Sequence, residues 1–422
     1  MIHPKTLRKQ TGAFLKTTFR SLRYRNFRLF WFGQCISLTG TWVQRTAQTW
    51  LVYSVTNSPL RVGLVGVAQF LPLLFLSLFA GVIVDRFPKR RLLVLTQALF
   101  LAQAVAMTLL THLGIIQYWH ILLLSFLFGL TQTLDMPARQ SFFIDLVGPE
   151  NVMNAISLNS TIVNLARILG PAVSGILMVK LGATACFFLN AVSFLPVIAG
   201  LLMIRTDEAR AARRVPSMLP EIADGMRYIR RNRTLVINVL VMAVVCTFAF
   251  NNDVVIPVFA REYLNGGIHG YSFMLSMAGL GAFCAAILMA YRSKNGVSRR
   301  LLLISGTGTA AVQLATCLTR QYAVSAVLVL VVGFFNLIFM NTANSIFQVS
   351  SSNEYRGRVM SVYSFLIMGS TPIGNFLAGA VMERAGGDSG FLFCGGVTLA
   401  LLALIAVFTR GELVRWLRGE AS

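Results

Sequence analysis

Apolar residues run along this chain in long blocks, broken by short clusters of charge, glycine and proline. Twelve blocks can be read, at 27–54, 60–84, 92–111, 119–140, 152–179, 183–204, 234–260, 270–291, 301–319, 322–348, 357–382 and 390–409. A hydrocarbon core about 30 Å thick needs roughly 20 apolar residues per helix, and each block approaches or exceeds that length. The pattern predicts an all-α membrane protein with twelve transmembrane helices.

Composition agrees with the pattern. Hydrophobic residues make up 56% of the 422-residue chain and charged residues 12%, with a mean hydropathy of +0.69. A soluble domain carries about 25% charged residues, so too few charges are present to cover a water-facing surface. The formal net charge of +22 raises the question of nucleic acid, since basic patches bind phosphate backbones. Position decides against it: the cations sit in short clusters between apolar blocks, and no soluble basic domain exists.

The same clusters set an orientation. With alternate loops on opposite sides, 30 of the 37 Lys and Arg residues fall on the side of the two termini and five on the other, while Arg45 and Arg167 lie within spans. Positive charge marks the cytoplasmic side, so both termini are expected there. Residues 1–26 read as a basic amphipathic arm with Phe14, Leu15, Phe19 and Leu22 among cations, suited to a lipid surface; a disordered basic tail before Arg20 is the other reading. Residues 205–233 form the only long polar stretch and read as a cytoplasmic linker, and 410–422 as a cytoplasmic tail.

The halves on either side of the linker, 27–204 and 234–409, repeat one another. At an offset of 204, Phe143 matches Phe347, Glu150 matches Glu354 and Ser157 matches Ser361, as do Gly170 and Gly374, Gly175 and Gly379, and Gly182 and Gly386. Six spans per half give the repeats the same orientation, an arrangement that places substrate between two parallel halves.

No chemistry of bond-making is legible. The six cysteines lie in or beside apolar blocks without CxxC spacing, the four histidines lie in the tail or loops, and no HExxH, Walker or GxSxG pattern occurs. Buried cysteine behaves as a small hydrophobe. The chain is therefore expected to be no enzyme and to need no cofactor, metal or nucleotide.

Three motifs carry a resemblance. The loop after the second span reads Gly81-Val-Ile-Val-Asp85-Arg86-Phe-Pro88-Lys89-Arg90-Arg91; a small residue permits close helix approach and a carboxylate suits a helix N-terminus. The fifth span carries Arg167-Ile-Leu-Gly170-Pro171-Ala-Val-Ser-Gly175, and Asp135-Met-Pro137-Ala-Arg139-Gln140 and Glu354-Tyr-Arg356-Gly357-Arg358 flank the fourth and eleventh spans. Together they resemble the major facilitator superfamily, in its drug-exporting branch that includes macrolide-efflux proteins and the enterobactin exporter, over residues 20 to 409. Two departures stand out: Pro88 replaces a usual glycine, and Ser125 stands where proton antiporters often have Arg, four residues before Gly129.

The resemblance implies a central cavity lined by spans 1, 4, 7 and 10. Span 1 supports this, because Gln34, Ser37, Thr41, Gln44, Arg45 and Gln48 form one polar stripe at helical spacing. Span 7 offers Asn238, Asn251, Asn252 and Asp253, and span 10 offers Asn336, Asn341, Asn344 and Gln348; amides facing lipid are costly, so these should face protein or water. Arg167 is expected to meet an anionic substrate or a carboxylate. Arg45 and Asp253 each lie 18 residues into their spans, about 27 Å deep at 1.5 Å per residue, and are expected to pair as an outer gate. Asp85, Arg86 and Arg90 are candidates for an inner latch with Asp135, for which a purely structural role is the other reading.

The whole points to a monomeric secondary exporter of the bacterial inner membrane. Its cargo is expected to be an amphiphile of the drug or siderophore class, moved by alternating access in exchange for protons. The rival readings are an importer or facilitator on the same fold, and a non-transporting membrane sensor or scaffold.

Overall fold

The computed structural model describes residues 19–205, 218–292, 296, 298–352 and 354–409, without the side chains at 77–79, 82, 85 and 218–223. The arm before residue 19, most of the linker's first half and the tail after 409 lie outside the described residues. Within them the protein is helical. The first half comprises α1 (Arg25–Thr56), α2 (Pro59–Arg86), α3 (Lys89–His112), α4 (Tyr118–Val147), α5 (152–181) and α6 (183–203). The second comprises α7 (Arg233–Tyr263), α8 (Gly267–Arg292), α9 (Arg299–Cys317), α10 (Tyr322–Val349), α11 (Arg356–Ala385) and α12 (Ser389–Phe408).

By length and composition, nine described helical stretches can cross a membrane, one of which holds both α5 and α6. The helices outside that set, α1 and α9, carry rows of polar residues that lower their hydropathy. On α9 the row Ser305, Thr309, Gln313 and Thr316 is buried against protein, with Gln313 donating to the Ala249 carbonyl at 2.8 Å. Elsewhere the bundle wears its apolar side chains outward: Phe75, Phe188, Phe365 and Val407 are among many large exposed hydrophobics, as lipid rather than water requires.

The repeat is visible in atomic detail. Gly182 and Gly386 hold φ of 78° and 90°, the left-handed region that favours glycine, and each breaks the chain between the fifth and sixth helix of its half. A Cβ on Gly170 would strike Trp42 of α1, and one on Gly374 would strike the Thr247 carbonyl of α7. Likewise Gly129 lies on the Gln69 carbonyl and Gly333, 204 residues on, lies on the Ala278 carbonyl. These are backbone-close crossings that small residues permit in membranes. Equivalent glycines also join the halves, with Gly175 against Ser272 of α8 and Gly379 against Pro59 and Leu60 of α2.

The apolar cores divide by depth. Toward the end where α1 begins, here the basic end, Phe27, Phe30, Leu93, Phe142 and Leu201 form a core of the first half alone. Leu235, Val241, Phe339, Phe347 and Val359 form a separate one in the second half. Toward the opposite end the two halves share a single core: Val43, Val52, Tyr53 and Val65 pack with Val255, Phe259, Tyr271, Met274 and Phe391. The halves are thus sealed together at the far end and hold distinct cores at the basic end.

Two features depart from the sequence expectation. Span 7 is interrupted at 249–251, after which it resumes as Asn252–Val258 and a π-helical turn, Phe259–Tyr263. Asn251 causes part of this, because its Nδ2 bonds the Thr247 and Phe248 carbonyls at 2.8 and 3.1 Å, in competition with the helical ladder. Pro257 removes one further N–H. The polar linker also contains a helix, Met218–Arg231, which seats Ile229 in the second half's core and stacks Tyr228 on Tyr355 at 4.6 Å.

Gly333→Leu should lose the folded protein, because the Ala278 backbone cannot yield, and overpacking costs about 1–3 kcal/mol or more. Gly396→Ala, where an added Cβ meets nothing within 4 Å, should leave it unchanged. Elution profile and melting temperature in detergent compare the two.

Candidate functional site

Between the halves lies a cavity of about 370 Å³. Its roof, toward the far end, is the ion pair Arg45–Asp253, formed across the halves from α1 and α7, with each side chain about one-third exposed. Twenty residues of α1 precede Arg45 and eleven follow it, so about 16 Å of helix stands above the pair at 1.5 Å per residue. The pair is therefore the inner surface of a thick seal rather than the seal's outer edge.

A second lock occupies that thickness. The Tyr53 hydroxyl bonds the Glu262 carboxylate across the halves, and the Gly387 N–H donates to Glu262 at 2.9 Å. Arg261 lies over the Tyr53 ring at 5.0 Å and donates to its carbonyl at 3.3 Å. Glu383 of α11 accepts from Ser58 Oγ at 2.8 Å and from the Leu60 N–H at 3.3 Å, a carboxylate at a helix N-terminus where its charge is favoured. Trp50 stacks on Tyr271 at 5.8 Å.

The cavity walls alternate aromatic surface with amides and hydroxyls. Trp42, Phe70, Phe100, Phe128, Phe143 and Phe194 supply the first kind, with Phe100 4.7 Å from Phe128 and 5.7 Å from Phe194. Gln44 donates to Gln103 Oε1 at 2.9 Å and accepts from Asn190 Nδ2 at 2.8 Å. Gln48 donates to Ser125 Oγ at 2.8 Å. Burying such groups without partners would cost a few kcal/mol each, so these bonds fix the lining.

Lower in the cavity stands a second ion pair, Asp135–Arg139, both on α4. Asp135 is buried and also accepts from Thr96 Oγ1 and Gln97 Nε2, both at 2.8 Å. Arg139 reaches on to Gln34 Oε1. This corrects the expected latch: Asp135 is engaged by α3 and by its own helix, not by the basic loop. Arg90 instead donates to the Leu201 and Leu202 carbonyls at 2.6 and 2.7 Å, tying α3 to the end of α6. Arg86 is exposed, and the side chain of Asp85 lies outside the described residues.

Of the other candidates, Ser37, Thr41 and Gln44 line the cavity, and Gln34 stands behind it as the partner of Arg139. Asn251 is buried and spent on the backbone of α7. Asn252, Asn341 and Asn344 do not line the cavity, and among the described residues α10 contributes nothing to it. That helix is pressed on α8 through Gly333 against Ala278 and Leu330 against Gly281. Arg167 stands just behind the wall, its guanidinium carbon 5.5 Å from the Trp42 indole centre.

Arg139, Trp42 and Glu262 were not singled out from sequence. For Arg139 a signal existed, since Asp and Arg four apart on a helix face one another. Asn375 of α11 also faces the cavity, from a helix not expected to line it.

A family model described as transmembrane secretion effector matches residues 16–416. The Staphyloferrin A transporter of Staphylococcus aureus is 23% identical over 83% of this chain and 88% of its own. The multidrug efflux pump Tap of Mycolicibacterium fortuitum is 26% identical over 90% and 94%, and macrolide efflux protein A of Streptococcus pyogenes 21% over 90% and 96%. Among solved structures, the nucleoside transporter NupG superposes with a TM-score of 0.73 at 10% identity, over 92% of this chain and 98% of that one. A bacterial homolog of the human lysosomal transporter Spinster superposes with a TM-score of 0.66 at 14% identity, over 94% and 95%. At such identities the structural likeness establishes the fold.

Asp135→Asn should strand Arg139 and lower stability by about 3–5 kcal/mol, the usual cost of breaking a buried pair. The double variant Asp135→Asn/Arg139→Gln should recover part of that loss. Thermal melts of the purified variants read both.

Proposed function

Because the chain belongs to the transmembrane secretion effector family of the major facilitator superfamily, we propose that it exports amphiphilic small molecules across the bacterial inner membrane. Export proceeds by alternating access, with both termini cytoplasmic, and in exchange for protons. It is a multi-pass membrane transporter and not an enzyme, as its relatives are. The observation that carries the reading is the cavity's position: it lies beneath a core shared by both halves at the far end and beside separate cores at the basic end. With the basic end in the cytoplasm, this is the inward-facing stage, ready to load cargo from inside.

The lining suits the proposed cargo. Aromatic walls accept an apolar body, and the amides of Gln44, Gln48, Gln69 and Gln132 accept scattered polar groups without demanding one pattern. Relatives named for drugs and for a siderophore support the same class. The seal at the far end must part for release, which requires Arg45 and Asp253 to separate. Asp253 is the more accessible of the two cavity carboxylates, with a side chain 35% exposed against 5% for Asp135. Protonation of Asp253 removes its attraction for Arg45, and that step would link proton entry to opening.

Inverted membrane vesicles with an imposed proton gradient, given xanthene dyes and iron-free siderophores, test the reading. Gradient-dependent accumulation is expected, and Asp253→Asn should lower it about tenfold, roughly 1.4 kcal/mol in the barrier. Accumulation indifferent to the gradient would remove proton exchange. Uptake by right-side-out vesicles without outward pumping would favour an importer.

A further inference from the structure

The charges around the cavity do not balance. Arg45 faces Asp253 and Arg139 faces Asp135, which accounts for every charged residue on the lining. Arg167 is the fifth charge. Its guanidinium carbon and that of Arg45 both lie within 5.5 Å of the Trp42 indole centre, so two cations share one aromatic ring and one carboxylate. The Nε of Arg167 is sealed from solvent with no hydrogen-bond partner. The carboxylates of the seal above are already engaged, Glu262 by Tyr53 and Gly387, and Glu383 by Ser58 and Leu60. The roof of the cavity therefore carries an uncompensated positive charge inside a low-dielectric wall, where an unpaired ion is costly and marks function.

We infer that this roof receives an anionic group of the cargo, a carboxylate or comparable acid, which binds Arg45 against the Trp42 ring while Arg167 adds its charge from behind. This rests on the export reading and narrows its cargo to amphiphiles bearing an acid. Arg45 is the contact residue. Arg167 is a positioning residue, since it stands behind the indole rather than on the cavity lining. Its charge does two things: it draws the anion to the roof, and it keeps Asp253 from neutralising the site alone. The cargo's acid and Asp253 compete for Arg45. Loading thereby loosens the ion pair that joins α1 to α7, so occupancy and opening become coupled through one guanidinium.

Binding to the purified full-length protein tests this without requiring transport. Fluorescence anisotropy is read with carboxyfluorescein, an anion, and tetramethylrhodamine ethyl ester, a cation on a related xanthene skeleton. Wild-type protein should hold the anion at least about tenfold more tightly. Arg167→Gln should lose roughly tenfold of that affinity, Arg167→Lys should retain it, and Asp253→Asn should tighten it by removing the competitor. Equal or tighter binding of the cation would overturn the inference, as would anion affinity unchanged in Arg167→Gln. If Arg167→Gln does not fold, Asp253→Asn decides: unchanged or weakened anion binding overturns the competition. The two readings fail separately. Gradient-driven uptake of the cation without anion binding would leave export standing and remove the acid site. Anion binding with no uptake of either dye would keep the site and remove export.

Discussion

Hydrocarbon offers no hydrogen-bond partner, and most of this architecture follows from that constraint. Every polar side chain on a span must find protein or trapped water, so polar stripes turn inward and bring helices together. On α1 the stripe becomes a cavity wall, its amides held by Gln103, Asn190 and Ser125. On α9 the same requirement is met by packing, with Gln313 on the Ala249 carbonyl and Thr309 on Asn336. In the first case the partners are arranged around a space, and in the second they close it. Asn238, buried and bonded to the Ala343 carbonyl at 3.3 Å, belongs to the closing kind.

Glycine supplies the complementary half of the construction. Where Gly129, Gly170, Gly333 and Gly374 meet backbone or Trp42, helices within a half approach without interdigitating side chains and form rigid units. Where Gly175 meets Ser272 and Gly379 meets Leu60, the contact lies between halves, and its smoothness suits two bodies that turn against one another.

The span pattern, the repeat and the pairing of α1 with α7 were legible because each leaves a periodic or symmetric trace: hydropathy in blocks, glycines at one offset, two charges at equal depth. Partner choice was not. Asp135 has Thr96, Gln97 and Arg139 as neighbours only once α3 and α4 are packed, and a basic loop nearby in sequence was the tempting alternative. The break in α7 depends on how the Asn251 amide turns against its own backbone, which composition does not reveal. The helix Met218–Arg231 was hidden in a polar stretch because its partners, Tyr355 and Arg358, lie more than a hundred residues away; Asp224 reaches Arg358 at 3.8 Å. The far-end lock of Tyr53 and Glu262 joins residues with no shared periodicity.

The cavity is built unevenly. Only Asp253, Val254 and Asn375 of its lining come from the second half, although the halves are copies of one ancestral design. Duplication frees one copy to drift, and here the first copy has taken the walls while the second keeps the hinge side and a single charged contact. An evolving lineage could then change what it carries through substitutions in α1 to α6 alone. The ancestry of cargo choice would be written in one half of the gene and that of the moving machinery in the other.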